Sequence, residues 1–127
     1  MDARITIIEY VGGHSQVLVS GADIIYSLIG RKDFDCVSLL RFVCNVKYIP
    51  FPDMNNCKFL TEWTITNKEP ELNDILLYDF HGQGIDHVGL YIGNNEIFHY
   101  LDTTGVVISK YTNKYLERRF RGVLKHG

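Results

Sequence analysis

One cysteine and two histidines carry residue types and spacings that could do chemistry together. Cys36 lies in D-F-D-C-V-S-L-L-R-F-V (33–43), where an aspartate precedes it and an apolar-faced segment follows. The thiolate is the nucleophilic form of cysteine. A helix N-terminus lowers the thiol's pKa through its N–H groups and positive dipole end, as does a nearby imidazole. The same N–H groups can hold an oxyanion formed when the sulfur attacks a carbonyl. Asp35 is the candidate N-cap, although its own negative charge works against the thiolate. His87 and His99 supply a base and a residue to orient it, in H-V-G-L-Y-I and E-I-F-H-Y-L.

The elements that must position these groups follow from local pattern. Side chains alternate faces along a strand, so His87 and His99 share a face only if the hairpin loop has an odd residue count. A three-residue loop, Gly93-Asn94-Asn95, pairs Ile92 with Glu96, Leu90 with Phe98 and Gly89 with His99. His87 is then the diagonal neighbour of His99, about 7–8 Å away at Cα, and Gly89 leaves the ring unobstructed. A two-residue loop would put the histidines on opposite faces. His14, His81 and His126 fall in loops or at the terminus, and Cys44 and Cys57 read as structural. Zinc would accept Cys36, His87 and His99, but no further ligand arrives at a characteristic spacing, so no metal or other cofactor is expected.

Residues 3–10 and 16–19 read as a β-hairpin. Ser20 or Asp23 can cap a short helix ending near Gly30. A second helix runs from Asp35 to about Val46, with Leu39, Leu40, Val43 and Val46 on one face. Residues 48–60 read as loop, followed by a helical turn or two through Trp63. From Ile75 the runs I-L-L-Y-D-F, H-V-G-L-Y-I, E-I-F-H-Y-L, G-V-V-I-S and the closing F-R-G-V-L-K are strands. Helices first and strands afterwards predict an α+β fold, an antiparallel sheet with helices on one side.

The bulk properties narrow the function classes. A chain of 127 residues implies one domain, here 1–127 with residues 1–20 as an N-terminal hairpin extension. Three cysteines cannot all pair internally, which argues against a disulfide scaffold. The net charge of −2 does not suggest nucleic acid, although residues 110–127 hold six basic side chains against Glu117. No basic-then-apolar signal pattern opens the sequence and no run is long enough for a membrane span. Action outside a cytoplasm would therefore need delivery by something else.

The motifs resemble those of the NlpC family of papain-like cell-wall cysteine peptidases. The matching stretches are D-C-V-S-L at 35–39, N-D-I-L-L at 73–77, H-V-G-L-Y-I-G at 87–93, and His99 twelve residues after His87. The similarity spans roughly residues 22–124 and implies a papain-like fold, N-terminal helices packed on an antiparallel sheet. It also implies Cys36 as nucleophile, His87 as general base and His99 as its orienting partner. Tyr26 is the best match to a family tyrosine whose hydroxyl points into the site as an oxyanion or substrate contact. Val37-Ser38 replaces the common Ser-Gly, and Asn73 replaces a glycine before Asp74, which reads as a turn residue. The implied activity is hydrolysis of an amide bond in peptidoglycan stem peptides, of γ-D-glutamyl-diamino acid type. D-C-V-S-L-L-R, H-Y-L and R-F-R-G-V-L-K-H most resemble bacteriophage tail-tip members, implying a virion location, tail-tip proteins as partners, and a role in opening the wall for DNA entry. A catalytically silent tail module and an amidase or acyltransferase on the same scaffold are the alternatives.

Overall fold

The structure is a computed structural model that describes residues 5–11, 14–19, 21–52 and 63–126. Two strands, β1 (Ile5–Val11) and β2 (His14–Val19), form an antiparallel hairpin, and α1 (Gly21–Leu28) follows. α1 starts early enough to place Asp23 within its first turn; Ser20 lies outside the described residues. The second helix, α2 (Cys36–Lys47), begins at the cysteine. It buries Val37, Leu39, Leu40, Val43 and Cys44, the stripe its periodicity predicts. α2 ends where Tyr48 turns left-handed, at φ 57°, and returns its N–H to the last carbonyls of the helix.

The remaining strands are β3 (Trp63–Thr66), β4 (Ile75–Tyr78), β5 (His87–Gly93), β6 (Glu96–Leu101), β7 (Gly105–Lys110) and β8 (Phe120–His126), with α3 (Lys114–Arg119) before the last. They form one sheet in the order β3-β8-β4-β5-β6-β7, antiparallel at every pairing. Trp63 opens a strand rather than closing a helical turn, because it pairs with His126 at the far end of the chain. The stretch immediately before it, with Cys57, lies outside the described residues.

Alternation along the strands gives the sheet two covered faces. Ile75, Leu77, Val88, Leu90, Phe98, Tyr100 and Val106 pack with the buried residues of α1 and α2. Leu76, Tyr78, Ile97 and Val123 project the other way and pack with Leu116 of α3. The N-terminal helices thus take one face as the sequence order predicts, while α3, which apolar pattern did not announce, shields the other. No helix among the described residues is long and apolar enough to cross a membrane.

The β5–β6 hairpin corrects the sequence reading in one respect. Asn94 and Asn95 both sit left-handed, at φ 54° and 63°, and alone form the turn. Gly93, not Ile92, pairs with Glu96, and a register shift between Tyr91 and Gly93 absorbs one extra residue. A two-residue turn by itself would reverse the parity. The bulge restores it, so Leu90 still faces Phe98 and Gly89 still faces His99.

Candidate active site

The start of α2 is fixed from both sides of Cys36. Asp35 Oδ1 accepts the Ser38 N–H at 2.7 Å, and Ser38 Oγ accepts the Asp35 N–H at 2.9 Å, a reciprocal capping box. Ser38, a departure from the family pattern, therefore has a structural task at the third helical position. Upstream, residues 30–32 are tied to the sheet. Gly30 N–H donates to the Val106 carbonyl at 2.8 Å, Val106 N–H to the Arg31 carbonyl at 2.9 Å, and Tyr100 Oη–H to the Lys32 carbonyl at 2.8 Å. This close approach requires Gly105: a Cβ there would lie 2.2 Å from the Arg31 carbonyl oxygen, and its φ is +80°. The Cys36 sulfur comes to 4.0 Å from the carbonyl oxygen of Asp86, the residue before His87.

The two histidines lie in a continuous hydrogen-bonded chain. His87 Nε2 is 2.9 Å from His99 Nδ1, and His99 Nε2 is 2.8 Å from Ser109 Oγ. His87 is 4% exposed and His99 is fully buried. Burial, reinforced by the neighbouring His87, pulls the pKa of His99 down to about 3, so its imidazole stays neutral at physiological pH. Phe80 lies flat against His87, with ring centroids 4.1 Å apart and planes 19° from parallel. Tyr78 meets the same ring edge-on from the neighbouring strand. Gly89 is needed for packing, but the space opposite it is filled by Ile97: a Cβ on Gly89 would come within 2.4 Å of Ile97 Cδ1.

His87 alternates with Val88, so it projects from the sheet face opposite α2. As the first residue of β5 it stands at the end of the sheet, where the start of α2 crosses. Cys36 and His87 there line one open cleft of about 470 Å³. One wall is the loop between β4 and β5. Asp79 caps the Gly82 N–H at 2.6 Å, and Asp86 accepts the Phe80 N–H at 2.8 Å, which holds Phe80 over the imidazole. Tyr115 of α3 packs edge-on against Phe80 and also lines the cleft.

Of the residues singled out by sequence, Cys36, His87 and His99 are brought together at this end of the sheet. Tyr26 is not among those lining the cleft. It is 60% exposed, because α1 buries Ile24, Ile25 and Leu28 and turns the next residue outward. Tyr100, from β6, lines the cleft instead. Asp74 behaves as a turn residue, accepting the Glu71 N–H at 2.7 Å beside Asn73 at φ 72°. His81, placed in a loop by sequence, reaches the cleft with its Nδ1 2.6 Å from Asp86 Oδ2. Ser109 was also missed, although strand parity offered a signal: His99 faces Val107, so residue 109 shares its face. Phe80 and Tyr115 had no local signal. Among the described residues no three His, Cys, Asp or Glu side chains gather closely enough to hold a metal ion.

Comparison with known proteins places this geometry in context. The profile of the NlpC/P60 family matches residues 12–125. The probable endopeptidase p60 of Listeria innocua is 30% identical over 73 residues, which cover 58% of this chain and 15% of that protein. The probable peptidoglycan endopeptidase LytE of Bacillus subtilis is 28% identical over 91 residues, covering 70% and 26% respectively. The chain thus spans no more than about a quarter of these relatives. Among solved structures, an NlpC/P60 family protein from Bacillus cereus superposes with a TM-score of 0.68 at 16% identity, over 84% of this chain and 39% of that one. The peptidoglycan hydrolase RipB of Mycobacterium tuberculosis gives 0.59 at 17% identity, over 83% and 61%.

Proposed function

Because the chain belongs to the NlpC/P60 family, we propose that it is a cysteine peptidase that hydrolyses an amide bond in peptidoglycan stem peptides. The observation that carries this reading is the hydrogen bond between His87 Nε2 and Nδ1 of a buried, neutral His99. It engages Nε2 of His87 and leaves Nδ1 for the thiol of Cys36 in the shared cleft. Cys36 gives its proton to His87 Nδ1, and the thiolate attacks the scissile carbonyl carbon. The N–H groups of the first turn of α2, beginning with that of Cys36, hold the oxyanion. The imidazolium then protonates the leaving amine as the tetrahedral species collapses to a thioester. Water, deprotonated by His87, attacks the thioester and releases the new carboxylate and the thiol. Neutral His99 accepts the Nε2–H of His87 throughout and stabilises the imidazolium, which a second protonated histidine would repel.

The bond we propose is γ-D-glutamyl to diamino acid, in keeping with the peptidase motifs at residues 35–39 and 87–93 and with relatives named as endopeptidases. Delivery at a bacteriophage tail tip, with tail proteins as partners and the host wall as site of action, is the finer proposal. Its support is the likeness of the D-C-V-S-L-L-R and R-F-R-G-V-L-K-H stretches to tail-tip members. Purified stem peptides incubated with the protein and analysed by mass spectrometry test the activity. Wild type releases a γ-glutamyl fragment and Cys36→Ala does not; equal release from both would end the peptidase reading.

A further inference from the structure

We propose that Ser109 is a positioning residue that keeps His99 in the tautomer through which His87 can work as a base. The inference rests on the peptidase reading and adds a fourth group, on β7, to the Cys36, His87 and His99 set. His99 carries one ring proton when neutral, and both its nitrogens have partners: His87 Nε2 at 2.9 Å and Ser109 Oγ at 2.8 Å. With the proton on His99 Nε2, Nδ1 accepts from His87 Nε2–H, and the Nδ1 of His87 is bare toward Cys36. With the proton on His99 Nδ1, His87 Nε2 must become the acceptor. His87 then carries its own proton on Nδ1 and cannot take one from the thiol.

The Ser109 hydroxyl satisfies His99 in either form when His87 is neutral, because a hydroxyl both donates and accepts. Once His87 holds two protons, only the first form is allowed. The Nε2–H of a fully buried His99 then needs an acceptor, and Ser109 Oγ lies 2.8 Å from that nitrogen. Removing that oxygen leaves a buried N–H unpaired in the state that catalysis must populate, a cost borne chiefly after proton transfer. Ser109 sits diagonally from His99 across the β6–β7 pair, opposite Ile97, and is not among the residues that line the cleft. It acts through His99 alone.

The test compares Ser109→Thr with Ser109→Val, two β-branched side chains of nearly the same shape that differ in the hydroxyl. Stem-peptide turnover should stay within a few-fold of wild type in the threonine variant. It should fall roughly 10–100-fold in kcat for valine, with KM little changed, the loss expected for one unpaired buried N–H. Nitrogen NMR of histidine-labelled protein gives a second readout: His99 bears its proton on Nε2 in wild type and Ser109→Thr, and shifts toward Nδ1 in Ser109→Val. Equal kcat for the threonine and valine variants, or a wild-type protein with the His99 proton on Nδ1, would overturn the proposal. Failure of the underlying peptidase reading looks different: Cys36→Ala would then turn over like wild type, and the NMR comparison would still decide the role of Ser109.

Discussion

At the residue scale, the site depends on contrasts between groups of the same chemical type. Cys36 is partly exposed at a helix start, whereas Cys44, two turns on, is fully buried, and burial pushes its pKa up to about 12. Iodoacetamide at neutral pH should therefore alkylate Cys36 and spare Cys44 in the native protein, read by peptide mass spectrometry. Labelling of Cys44 at a comparable rate would count against a privileged Cys36. His99 sets a pH dependence of stability. Its folded pKa of about 3 lies below the ordinary 6.5, so the unfolded chain holds a proton that the folded chain lacks across that interval. Its contribution is complete above pH ~6.5 and is lost as pH falls toward 3, by up to about 1.4 kcal/mol per pH unit. Urea midpoints should fall more steeply from pH 7 to pH 4 in wild type than in His99→Gln; parallel profiles would show that His99 is not held neutral by the fold.

At the element scale, the helix start and the strands around it convert local rules into geometry. Asp35 both caps α2 and sets a negative charge beside Cys36, and two substitutions separate these effects. Asp35→Ala should cost about 1 kcal/mol by urea denaturation. Asp35→Asn should cost only a few tenths while moving the alkylation profile of Cys36 to lower pH. Gly105 holds the segment before Cys36 against β7, and any Cβ there meets the Arg31 backbone. Gly105→Ala should destabilise the protein by about 1–3 kcal/mol, from steric conflict and positive φ together. It should also reduce kcat more than it raises KM, because what shifts is the support of Cys36, the nucleophile proposed above. A fully active, fully stable variant would show that the close approach is dispensable. The β5–β6 hairpin carries the same lesson about elements. Asparagine tolerates the left-handed conformation, so Asn94-Asn95 closes the turn in two residues, and the odd residue moves into a bulge at Ile92. Alternation predicted the pairing of Gly89 with His99 but could not say where the extra residue would go.

At the scale of the whole molecule, one sheet joins two apolar clusters, and the site lies where its two sides meet. Leu40 belongs to the helix-side cluster and Leu76 to the opposite one, and both are fully buried. Truncating either to alanine should cost about 2–5 kcal/mol. Fluorescence and circular dichroism should still report a single coincident transition, because the strands carrying both clusters are shared. Separate transitions for the two substitutions would show that the faces fold independently. Much of this was legible in the sequence because it is written in short-range periodicity. The apolar stripe from Leu39 to Val43, the cap at Asp35 and the alternation along H-V-G-L-Y-I each depend on residues within a few positions of one another. Those patterns determined the helix that begins at Cys36, the antiparallel strands, and the shared face of His87 and His99. Tyr26 was misplaced because a motif match says nothing of which way a short helix turns. Only the tertiary structure decided that a cysteine from the helix layer shares a cleft with a histidine projecting from the other face at the end of the sheet, its sulfur reaching the carbonyl of Asp86, 50 residues further along the chain. The same holds for Phe80 stacked on His87 and for Ser109 behind His99. Such contacts are set by how strands pair and layers pack across long separations, and no local spacing encodes them.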